Sequence, residues 1–66
     1  MNLARLRGRR VEMGYTQRKI AEEIGVSEYT YRLLEQGKID PRASMVEKLC
    51  AKLQLSYDDF FYSDGC

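Results

Sequence analysis

The stretch Gln17 to Gln36 reads QRKIAEEIGVSEYTYRLLEQ, and its reading decides the architecture of the chain. Two short segments of helical apolar periodicity flank Ile24-Gly25-Val26-Ser27. Thr16 is placed to cap a helix over 17–24, in which Ile20, Ala21 and Ile24 share one face. Gly25 accepts positive φ without a steric penalty and breaks that helix. Ser27 then caps a second helix over 28–36, with Thr30, Tyr31 and Leu34 on the inner side. Glu28, Tyr29, Arg32, Leu33 and Gln36 span the opposite arc. Two helices that meet at about 90 to 120° across a short turn need a small residue where they cross. Ala21 supplies it, and Ile20, Ile24, Val26, Tyr31 and Leu34 fill the angle from both sides.

Working outward, Asn2 is a candidate N-cap for a helix over 3–13, with Gly14 as its left-handed terminator. Leu3, Leu6, Arg10 and Met13 fall within an arc of about 80°. An arginine inside such a stripe either pairs with a carboxylate or snorkels to solvent at its edge. Glu35 is the candidate partner, and breaking a buried pair of this kind costs about 3 to 5 kcal/mol. Arg5, Arg7 and Arg9 lie off the stripe and read as a solvated face. Beyond Gly37-Lys38, a helix over 42–53 buries Val46, Leu49, Cys50 and Leu53. Its start is either Asp40-Pro41, a cap followed by a residue suited to the first helical position, or Ser44, which forms a capping box with Glu47. Ser56 to Asp59 open a last short helix over 57–62, with two carboxylates at its positive end. Residues 63–66 have nothing to bury and should fray. The expectation is an all-α, compact five-helix single domain over 1–66.

Sixty-six residues leave room for one small core and none for an effector domain. Hydrophobic residues make up 44% and charged residues 32%, the balance of a folded helical domain. Net charge is only +1, but its placement is uneven. Arg5, Arg7, Arg9, Arg10, Arg18 and Lys19 crowd the first part of the chain, and Asp58, Asp59 and Asp64 its end. The two cysteines, Cys50 and Cys66, lack metal-ligand spacing and there is no histidine, so no metal or other cofactor is expected. No nucleophile–base pair or Gly-rich phosphate loop points to an enzyme. Unpaired thiols and the absence of a signal-peptide or membrane-length apolar run suggest a cytoplasmic setting.

Arg18 and Lys19 stand in the first turn of their helix, where cations oppose the macrodipole. A phosphate docked there reverses that cost, accepting from free backbone N–H groups, from Gln17 and from the two cations. The competing reading pairs Arg18 with Glu22 and Lys19 with Glu23 on a solvated face.

From Leu6 to Phe61 the chain resembles the Cro/repressor-type helix-turn-helix domains of lambdoid phage repressors and xenobiotic-response-element-like regulators. The resemblance rests on Arg10, Gly14-Tyr15-Thr16-Gln17, Ile20-Ala21, Gly25-Val26-Ser27, Leu34-Glu35, Gly37-Lys38, Pro41, Leu53, Leu55-Ser56 and Asp58 to Phe61. It implies double-stranded DNA as partner, with the second helix of the motif in the major groove and a homodimer on a two-fold symmetric operator. It makes Gln17 and Lys38 phosphate contacts, puts Glu28, Tyr29 and Leu33 at base-reading positions with Arg32 beside them, and pairs Arg10 with Glu35. Against the family pattern, Leu33 stands where a polar or basic reader is commoner, and Tyr31 replaces an aliphatic core residue. Tyr57, Phe61 and Tyr62 are candidates for the dimer interface, or pack on their own core. The expected function is that of a transcriptional regulator, a repressor occupying its operator. The alternative is a protein-binding module that uses Tyr29 and Leu33, as in an antirepressor or antitoxin subunit.

Overall fold

A computed structural model describes residues 2–58. They form α1 (Leu3–Glu12), α2 (Gln17–Ile24), α3 (Glu28–Glu35) and α4 (Ala43–Leu53). The described residues thus hold four helices rather than five. The expected helix over 57–62 falls mainly outside them, as do Phe61 and Tyr62.

Local sequence dictates each start and stop. The side chains of Asn2, Thr16 and Ser27 accept from the backbone N–H three residues on, at Arg5, Lys19 and Thr30, so each satisfies a donor that the first helical turn leaves over. All four helices close with a backbone bond of the same span. Tyr15, Val26, Lys38 and Leu55 donate to the carbonyls of Arg10, Ala21, Leu33 and Cys50, each across a residue in the left-handed region. Glycine takes that position after α1, α2 and α3; after α4 it is Gln54, at φ 56°.

The start of α4 departs from both expectations. Arg42 stands at the N-cap with extended backbone and no side-chain cap bond, so neither Asp40-Pro41 nor Ser44 with Glu47 opens the helix. Ile39 packs against the core, and the chain runs through 40–42 without helix before turning. Ser44 consequently lies inside the first turn, exposed, where its hydroxyl cannot cap.

Leu6, Ile20, Ile24, Tyr31, Leu34, Leu49 and Leu53 are fully buried, joined by Ala21, Met45, Val46 and Leu55. Cys50, expected inside, is only partly buried at the edge of this core. Arg9 is not the solvated residue it was expected to be. Its Nε donates to the Leu53 carbonyl at 2.8 Å and its Nη2 to Gln54 Oε1 at 3.4 Å, while Nη1 meets Glu12. One arginine of α1 thereby caps the far end of α4, where a cation also complements the helix dipole.

Gly37 is doubly constrained: φ is +76°, and a Cβ there would stand 3.0 Å from Leu3 Cδ1. Gly14 shares the backbone constraint at φ +82° but has open space around it. Gly14→Ala is expected to cost about 1 to 2 kcal/mol, and Gly37→Ala more, because α1 must also shift. Urea denaturation of the two variants checks the order, and equal losses would show that the Leu3 contact yields freely.

Candidate nucleic-acid interface

The angle between α2 and α3 is fixed from inside by a small polar cluster. Arg10 Nε donates to Glu35 Oε2 at 2.6 Å, and its Nη2 reaches Glu35 Oε1 at 3.5 Å. Its Nη1 donates to the Tyr15 carbonyl at 2.7 Å, and Gln17 Nε2 donates to Glu35 Oε1 at 3.2 Å. The Glu35 side chain is 3% exposed and that of Arg10 12%, so these donors replace the water that burial removes from the pair. One anion therefore holds α1, the α1–α2 turn, the head of α2 and the tail of α3 in a single arrangement.

This changes what Gln17 offers. Its carboxamide is turned inward to Glu35, leaving its backbone N–H, with that of Arg18, at the head of α2 without a partner within the helix. Arg18 Nε lies 3.8 Å from Glu22 Oε1, both well exposed, a pair of little energetic consequence. Of the competing pairs, Lys19–Glu23 is not formed: Glu23 meets Lys52 of α4 instead, at 3.9 Å. Lys19 is exposed and free to point at solvent from the first turn of α2.

On α3 the outward arc stands as its spacing requires. Glu28, Tyr29, Arg32 and Gln36 are exposed and Leu33 half-buried. Tyr29 is 66% exposed, unusually high for an aromatic ring. Arg32 Nη2 and Glu28 Oε2 lie 3.2 Å apart across one helical turn, so two expected base readers are paired with one another. Lys38 is exposed just past the end of α3, its N–H closing the turn on Leu33. Tyr57 is 51% exposed rather than packed on its own core. The Arg9 clamp and the inward tie of Gln17 are absent from the expectations above. The signal for Arg9 was its place three residues after Leu6, beside the buried stripe.

These elements define a helix-turn-helix unit with one solvent-facing helix, and the chain belongs to the helix-turn-helix family, whose model matches residues 6–60. Among its relatives is the uncharacterized HTH-type transcriptional regulator YgzD of Bacillus subtilis (strain 168), 30% identical over 53 residues and covering 80% of each chain. An uncharacterized HTH-type transcriptional regulator of Archaeoglobus fulgidus is 32% identical over 60 residues, 91% of this chain and 86% of its own. No solved structure matches significantly.

Tyr31 is the one residue that sits uneasily beside the cluster. Its ring is fully buried, yet among the described residues its hydroxyl makes no hydrogen bond of good geometry, although it lies beside Glu35 and Arg10. Burial above all, and then the neighbouring Glu35 carboxylate, push its pKa far above the usual 10.0, with Arg10 opposing. An unsatisfied buried hydroxyl costs about 1 to 3 kcal/mol, so Tyr31→Phe is expected to stabilise the fold by about 1 kcal/mol in urea titrations. The pH dependence has a definite sign. Below pH 10 folded and unfolded chains both keep the Tyr31 proton; above it only the unfolded chain releases it, and stability falls. Tyr31→Phe should remove that part of the alkaline loss, and an unchanged profile would mean that the hydroxyl reaches water.

Proposed function

We propose that this protein is a sequence-specific DNA-binding transcriptional regulator that lays the outer face of α3 in the major groove. The observation that carries this reading is the rigid presentation of that face. The Arg10–Glu35–Gln17 cluster fixes α3 against α2 while Glu28, Tyr29, Arg32 and Gln36 stay in solvent. The Bacillus and Archaeoglobus relatives are both named transcriptional regulators, which supports the same role here. The head of α2 meets one phosphate through the Gln17 and Arg18 N–H groups, with Arg18 and Lys19 supplying charge. Lys38, beyond the tail of α3, meets another.

The protein acts as a repressor, in the cytoplasm, by occupying a two-fold symmetric operator as a homodimer. Two α3 helices about 34 Å apart double the base contacts available to so small a domain. Tyr57, exposed near the end of the described chain, belongs to the dimer surface in this reading, together with Phe61 and Tyr62. Among the described residues no helix is long and apolar enough to cross a membrane.

The exposed Tyr29 ring favours one second reading, a protein partner seated on α3 in place of DNA. Salt separates the two. Binding to DNA loses affinity with a log–log slope of about −0.9 per phosphate neutralised, whereas an apolar protein contact barely responds. Fluorescence titration of duplex DNA at several salt concentrations should give a steep slope. Lys38→Ala should weaken binding to every duplex alike and make the slope shallower by about one. A slope near zero, or no binding at low salt, would leave the protein-partner reading in its place.

A further inference from the structure

Glu28 is unexpected on a surface that approaches phosphate. It occupies the first turn of α3, and the leading residues of a recognition helix are those that reach base edges. A carboxylate there repels the backbone of every duplex and must shed its water to enter the groove, which is costly unless a donor replaces that water. The floor of the major groove offers donors only at cytosine N4 and adenine N6.

Glu28 is also joined to Arg32. The Nη2–Oε2 separation is 3.2 Å, with both side chains close to half exposed. The guanidinium has five N–H groups in a fixed fork, so the pairing with Glu28 leaves most of them to donate outward. An exposed pair of this kind is weak, so it inclines Arg32 toward Glu28 without holding it there. The two residues are one helical turn apart, a rise of about 6 Å. That is close to two base-pair steps at about 3.4 Å each.

From this we infer that Glu28 is a specificity-determining residue that works with Arg32 as one reading unit. Glu28 accepts from a cytosine N4 amino group while Arg32 donates to the O6 and N7 of a guanine within two base pairs of it. The inference rests on the DNA-binding reading above and adds to it a base composition at the centre of the half-site and a mechanism for rejecting other DNA. The carboxylate lowers affinity for duplexes without a matching donor. A low net charge of +1 fits a protein that binds non-specific DNA weakly.

The test selects bound duplexes from a random library with the full chain. It then titrates wild type, Glu28→Gln, Glu28→Ala and Arg32→Ala against the selected site, single-base changes in it, and a scrambled duplex. Glu28 and Arg32 are both exposed, and thermal unfolding of each variant confirms that the fold is retained. Wild type should enrich a half-site with a cytosine and a guanine within two steps. Replacing that cytosine should cost wild type roughly 10-fold, within the range for a matched base contact, and cost Glu28→Ala nothing. Both Glu28 variants should bind the scrambled duplex more tightly than wild type does, while Arg32→Ala should lose preference at the guanine. If wild type enriches a site but the Glu28 variants keep its preference at every position and bind scrambled DNA no better, the assignment of Glu28 is overturned and the DNA reading stands. If wild type enriches no sequence and binds no duplex, both fall together.

Discussion

The structure depends on one buried carboxylate. Glu35 receives Arg10 from α1 and Gln17 from α2 while itself sitting at the tail of α3, and Arg10 extends the cluster to the Tyr15 carbonyl. Apolar packing alone leaves helices of eight residues free to slide, because leucine and isoleucine faces fit in several registers. An ion in the interior does not tolerate such alternatives, since every other register leaves it without donors. The cost of burying the charge thus selects one arrangement, and the outer face of α3 inherits its position from that choice.

Around this fixed point the surface divides by what each side chain is already doing. Gln17 faces both ways, its amide committed to the interior and its backbone to the exterior. Arg18 has a loose partner in Glu22, whereas Lys19 has lost Glu23 to Lys52 on α4. The positive charge at the head of α2 is therefore less compensated than the sequence spacing implied, and that end of the motif is the stronger attractor for an anion. On α3 the opposite holds: Glu28 and Arg32 compensate each other, and Tyr29 offers a large apolar ring to whatever docks. The less compensated positive charge thus lies at the head of α2, and the paired charges with the exposed ring lie along α3.

Much of this was legible in the sequence because the signals are local. Thr16, Ser27 and Asn2 act as caps within three residues, and Gly14, Gly25 and Gly37 stop helices by a backbone property of their own. The buried faces of α2 and α3 follow from a periodicity of 3.6 residues, and Arg10 betrayed itself by standing in an apolar stripe. What escaped depends on distance. Arg9 reaches residues 53 and 54; its place beside the buried stripe signals partial burial, but nothing near it in the chain names those partners. Glu23 had two lysines to choose between, and only the packing of α4 on α2 decided for Lys52. The opening of α4 misled because Asp40-Pro41 and Ser44–Glu47 are both valid capping patterns, while the core contact of Ile39 overrode each of them. Tyr31 was recognised as an odd core residue, but its stranded hydroxyl could be seen only with the ring in place.

The four matching helix ends carry a consequence for how the chain finds this shape. Each turn is closed by bonds between residues three to five apart in sequence, so where a helix stops is decided locally. Helices this short are marginal alone, so they form as they pack, and helical domains dominated by local contacts fold in microseconds to milliseconds. A domain built this way reaches its working shape with little delay after synthesis.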